Sequence, residues 1–227
     1  MTAISNSTFK FLKAIKKNNN RPWFQENKPK YKAAHSEMIQ FAEDLMVLMN
    51  KHDNLVSMTG KKSLFRIYRD VRFSKDKSPY KAHWSGGFKR NTPYLRGGYY
   101  YHIEPGNSII AGGFWNPSSD DLLRIRQEIA ANDKPFRKVF KLATIKKYFN
   151  TIEGEKLKTS PKGFDKKHPA IDLLRHKQFL LYRHFTDAEV KDPAFIKEAN
   201  KTFKAMRPFF NLMSEILTTD INGSPTV

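Results

Sequence analysis

Residues 95–115 read LRGGYYYHIEPGNSIIAGGFW. Two β-prone runs flank Pro105-Gly106-Asn107, a tripeptide with turn chemistry, and that pattern predicts a hairpin. A hairpin commits its strands to antiparallel pairing, and such a sheet buries at least one face against other elements. The flanking sequence supplies them. Phe9, Leu12 and Ile15 recur at helical spacing after the candidate caps Ser5 and Ser7. A second helix is expected from about Asn27 to His52, where Ile39, Phe41, Ala42, Leu45, Met46, Leu48 and Met49 share a broad apolar face and Pro29 falls in the first turn. Beyond the hairpin, Ser118 or Ser119 caps a helix striped by Leu122, Ile125 and Ile129. Further helices are predicted from Pro135 to Lys147, near 170–175, and from about Pro193 to Leu217. SGGFKRN (85–91) and QFLLYRHF (178–185) read as strands. The expected fold class is α+β: one domain over 1–219, an antiparallel sheet with a central hairpin packed against N-terminal and C-terminal helices. Residues 220–227 are expected to be a frayed tail.

The segment 65–83, FRIYRDVRFSKDKSPYKAH, carries six cations among apolar and aromatic residues. Alternation predicts a strand over 65–73 with Phe65, Ile67, Val71 and Phe73 on one side and Arg66, Tyr68, Asp70 and Arg72 on the other. Arg69 falls among the apolar residues and so needs a carboxylate, carbonyl groups or a bound anion. SKDKSPY after it reads as a loop. Between Lys61 and Arg96 there are eleven Lys or Arg and two acids, so this stretch holds +9 of the chain's net charge of +19. Such a field favours anionic partners and says nothing about fold.

Composition sets the remaining bounds. Hydrophobic residues at 39% and aromatics at 13% are enough for an ordered globular chain. No cysteine is present, which excludes disulfides, thiolate metal sites and a cysteine nucleophile and fits a cytoplasmic location. No apolar run approaches the ~20 residues that span a bilayer, so no transmembrane segment is expected.

No Walker A loop, dinucleotide glycine fingerprint, His-Glu-x-x-His or Gly-x-Ser-x-Gly occurs, and no cofactor or catalytic residue is assigned. The glycine pairs 86–87, 97–98 and 112–113 lie in or beside predicted strands, where close backbone packing or bulges account for them. The seven histidines show no tight metal-ligand spacing and are read as scattered, with no metal site assigned, although His102 and Glu104 would share a strand face. Asp70 and Asp76, set among cations, should have depressed pKa values and make poor proton carriers.

The candidate ligand-binding set is therefore Arg66, Tyr68, Arg69, Asp70, Arg72, Lys75, Lys77 and Lys81. The arginines would form a fork for phosphate or carboxylate, Asp70 would orient them, and the lysines would close over the anion. Nucleic acid is the rival partner. Tyr68, Tyr80, Trp84, Phe88, Tyr94, Tyr99, Tyr100 and Tyr101 lie among the cations, and basic grooves with stacking aromatics bind single strands. That reading takes in a nuclease-like enzyme. A scaffold or partner-binding protein is a third alternative.

Four blocks in order, NNNRPWFQENKPKY (18–31), FRIYRDVRFSKDKSPYKAH (65–83), GGFWNPSSDDLLRIRQEI (112–129) and LKTSPKGFDKKHPAIDLLRHKQF (157–179), resemble a family of bacterial and fungal proteins catalogued as a conserved domain of unknown function. The resemblance runs from about Phe9 to Met213 and implies one domain. It implies no activity and no catalytic residue. Ligand identity, any reaction and the oligomeric state stay open at this level.

Overall fold

The computed structural model describes residues 3–220 and 222–226. The chain runs through α1 (Asn6–Lys17), α2 (Arg21–Glu26), α3 (Lys28–Met49), α4 (Gly60–Ser63), β1 (Trp84–Lys89), β2 (Gly98–Ile103), β3 (Ser108–Phe114) and α5 (Ser119–Ala131). It continues through α6 (Lys134–Lys141), α7 (Ala143–Lys146), α8 (Ile171–Leu174), β4 (Phe179–Phe185), α9 (Asp187–Lys191), α10 (Phe195–Ala205) and α11 (Arg207–Thr218). The four strands form one antiparallel sheet in the order β1-β2-β3-β4, with the β2–β3 hairpin at its centre, and the fold class is α+β. Among the described residues no helix is long and apolar enough to cross a membrane.

Side-chain capping sets several helix starts. Ser5 accepts the Thr8 N–H, Asn20 the Trp23 N–H and Ser118 the Asp121 N–H, and Pro22 and Pro29 occupy first turns where a missing N–H costs nothing. Asn20 thereby caps α2, a six-residue helix too short for periodicity to reveal. Two expected helices are each divided. The 135–147 segment breaks at Leu142, whose backbone is extended, and the 193–217 segment breaks at Met206. Pro208 explains the second break, because it has no N–H to give the carbonyl of Lys204 and its ring crowds that turn.

Internal contacts group the chain into two compact units. The first comprises Met1–Phe88, Tyr100–Ile110 and His184–Lys201. Its core is aromatic: Phe24 stacks on Tyr80 with ring centroids 4.1 Å apart, Tyr31 lies 5.7 Å from Trp84, and Phe41 of α3 meets Tyr101 of β2 edge-on at 5.8 Å. Each such ring, fully buried, contributes roughly 1.5–3 kcal/mol. The second unit comprises Lys89–Tyr99, Ala111–Arg183 and Thr202–Val227. Here α11 lays Phe210 against Tyr99 at 4.9 Å and Phe209 against Phe114 at 6.1 Å, and Arg96 binds Asp121 at 2.6 Å. Of the expected tail, Ile221 and Val227 lie outside the described residues. Asp220 accepts the N–H groups of Asn222 and Ser224, and Thr226 donates to the Thr218 carbonyl.

The strand expected over 65–73 is absent. Isolated bridges Leu64↔Gly86 and Tyr68↔Tyr80 are all that remain of it, and Arg72 and Phe73 form a turn. Of the four residues expected to face inward, Ile67 alone is buried, whereas Phe65 is half exposed and Phe73 is 97% exposed. The physical cause lies in the aspartates: Asp70 accepts the backbone N–H of Arg72 at 3.2 Å, a local bond that competes with a sheet ladder and turns the chain.

Candidate functional site

The loop 65–83 hangs from paired arms. Phe65 N–H donates to the Ser85 carbonyl, Lys81 N–H to Ile67 and Arg69 N–H to Pro79. Its tip is held by its own charges. Arg69 reaches the Asp76 carboxylate, the Ser78 carbonyl at 3.1 Å and the Ser74 hydroxyl at 3.4 Å. Arg72 grips Asp70 through Nε and Nη2, at 3.0 and 2.7 Å, and Lys77 donates to the Val71 carbonyl at 3.0 Å. Hydrogen bonds from the side chain and backbone of Ser78, then from Arg69, hold Asp76 down to about 2. Asp70 is lowered chiefly by Arg72. The expected depression of both carboxylates is therefore present.

This arrangement divides the candidate residues. Arg69 and Arg72 are already neutralised within the loop, and Asp70 engages Arg72 rather than all three arginines. Lys77 is committed to carbonyl groups, and Tyr68 is half exposed at the edge of the Phe24 and Tyr80 rings. Among the described residues no carboxylate lies within ion-pair distance of Arg66, Lys75 or Lys81. Lys81 Nζ sits 5.8 Å from the Phe65 ring centroid, and burial, reinforced by the nearby Arg66 guanidinium, lowers its pKa.

A second constellation adjoins this one. Strand β2 buries Tyr99, Tyr101 and Ile103 and leaves Tyr100, His102 and Glu104 on the more open face, as its alternation requires. The Tyr100 hydroxyl lies 3.0 Å from His102 Nδ1, and His102 Nε2 lies 3.0 Å from Glu104 Oε2. Glu104 also accepts from Lys16 at 3.3 Å and Asn107 at 3.2 Å. Burial raises its pKa, but these hydrogen bonds outweigh that and keep it below the usual carboxylate range. His83, one residue before β1, places its ring 4.1 Å from that of His102. Burial first, then the neighbouring His102, pushes His83 down to about 4, so this imidazole is neutral near pH 7.

One nitrogen of His83, one nitrogen of His102 and a carboxylate oxygen of Glu104 lie within 4.8 Å of one another. The histidines expected to be scattered thus include a convergent pair. The alternation of β2 already implied the His102–Glu104 half; the approach of His83 depends on the β1–β2 pairing, which spacing does not reveal. Phe65 stacks near Tyr100 at 6.2 Å, linking the basic loop to the cluster. A cavity of about 420 Å³ between α1, α2 and α3, lined by Phe11, Trp23, Ala33 and Glu37 among others, contains none of these residues.

Residues 7–211 match the model of a protein family described as "Conserved hypothetical protein (DUF2461)". No curated protein and no solved structure matches the chain.

Proposed function

The chain belongs to the DUF2461 family, and on that premise, which assigns no activity, we propose that it binds a phosphate- or carboxylate-bearing small ligand at Arg66 and Lys81. One observation carries this reading: Lys81 is a partly buried ammonium beside a second cation, and among the described residues no carboxylate lies within ion-pair distance of either, Asp70 acting on Arg66 only at longer range. Such a pair is unfavourable by itself and is relieved by an anion. Lys75, exposed at the loop tip, adds attraction. Arg69, Asp70, Arg72 and Lys77 shape the loop, and Tyr68 borders it.

A small anion fits better than a nucleic-acid strand. Of the aromatic residues interleaved with the cations, Tyr80, Trp84, Phe88, Tyr99 and Tyr101 are buried and offer no face on which a base could stack.

Titration with inorganic phosphate, followed by calorimetry and thermal shift, tests the reading. Arg66→Ala and Lys81→Ala are each expected to weaken binding about ten- to a hundredfold, the range for losing one charged hydrogen-bond partner. Arg72→Ala should leave binding within about threefold, since its guanidinium is already paired with Asp70. Absence of phosphate binding, or an equal loss in all three variants, overturns the proposal.

A further inference from the structure

We propose that His83, His102 and Glu104 bind one divalent transition-metal ion of the zinc, cobalt or ferrous class. Two imidazoles and a carboxylate are the donor set such ions prefer, whereas magnesium and calcium take oxygen ligands. The spacing suits them. Metal–nitrogen and metal–oxygen bonds of about 2.0–2.2 Å place neighbouring ligand atoms roughly 2.9–3.5 Å apart. His102 Nε2 and Glu104 Oε2 stand 3.0 Å apart, and the whole ligand set lies within 4.8 Å, so a modest rotation of His83 completes the site.

The surroundings orient the ligands as an outer shell does. If His102 Nδ1 carries the proton, it donates to the Tyr100 oxygen, which fixes the ring and turns the Nε2 lone pair toward Glu104. Lys16 engages Glu104 through Oε1, on the other side of the carboxylate from the oxygen that faces His102. Three protein ligands leave at least one position for water, the pattern of a reactive rather than a purely structural site. The competing account is a hydrogen-bonded chain Tyr100–His102–Glu104 with His83 merely packed beside it; that arrangement needs no ion.

The metal site stands apart from the anion reading, and the two fail separately. Protein stripped with a chelator is titrated with zinc chloride by calorimetry and with cobalt chloride by visible absorption. The expected result is one ion per chain with micromolar or tighter affinity and ligand-field bands of a nitrogen- and oxygen-bound cobalt ion. His102→Gln and Glu104→Gln should each weaken zinc at least tenfold, while His184→Ala, on an exposed histidine, and Arg66→Ala leave the titration unchanged. Circular dichroism confirms that each variant folds, and His83→Gln provides an independent third ligand deletion. Absence of saturable binding, or binding that survives His102→Gln and Glu104→Gln in folded protein, overturns the inference.

Discussion

At the scale of single residues, Arg69 shows how an out-of-pattern charge organises its surroundings. Its guanidinium ties Asp76, Ser78 and Ser74 into the loop tip. Arg69→Ala should therefore accelerate tryptic cleavage after Arg72, Lys75 and Lys77, while global stability changes by less than about 1 kcal/mol, as for other exposed ion pairs. An unchanged cleavage rate would show that the tip is held by something else. His176 gives a residue-level pH prediction. It is buried, and burial, then the nearby Lys156, pushes it down to about 4. Between its ordinary value near 6.5 and about 4, the unfolded chain takes up a proton that the folded chain refuses, so stability falls as pH drops through that window. His176→Gln should flatten that part of the curve in urea titrations at several pH values; an unaltered slope refutes the assignment. The need of Arg69 for a partner was legible in the sequence. The identity of that partner was not, because Asp76 reaches it through a turn that the aspartates themselves create.

At the scale of elements, periodicity located most helices and strands, and it misled where local side-chain bonds outcompete it. The apolar alternation of 65–73 resembles a strand, yet Asp70 turns the chain and leaves Phe73 in solvent. The long C-terminal pattern reads as one helix because α10 and α11 both carry core residues, and Pro208 alone signals the break. Of the close packing and bulges expected for the glycine pairs, close packing holds at Gly113 in β3: its φ is +143°, and a Cβ there would stand 2.2 Å from the Phe179 carbonyl oxygen of β4. Gly113→Ala should cost at least about 2 kcal/mol in chemical denaturation, since both backbone strain and overlap with main chain oppose it. A loss within about 0.5 kcal/mol would mean that β3 and β4 separate easily. The hydroxyl of Thr186 caps α9 in a reciprocal bond with Glu189. Thr186→Ala is expected to lose about 1 kcal/mol by the same measurement.

At the scale of the whole molecule, a net charge of +19 opposes compaction through self-repulsion. Sodium chloride raised from about 0.05 to 0.5 M should therefore raise the melting temperature, because the Debye length shrinks from roughly 14 to 4 Å. A fall would mean that the surface ion pairs outweigh the repulsion. The α+β class was legible from the hairpin signal and the flanking helical stripes. The His83–His102–Glu104 cluster was half legible: the strand face was readable, and the cross-strand neighbour was not. One consequence follows from the alternation of β2, in which each buried residue is followed by an accessible one. A single-codon insertion or deletion inside this strand would exchange the two sets, turning Tyr100, His102 and Glu104 inward and Tyr99, Tyr101 and Ile103 outward. The polar cluster and the apolar packing thus share one reading frame, so a lineage or a directed-evolution library can change hairpin length here only in steps of two without losing both together.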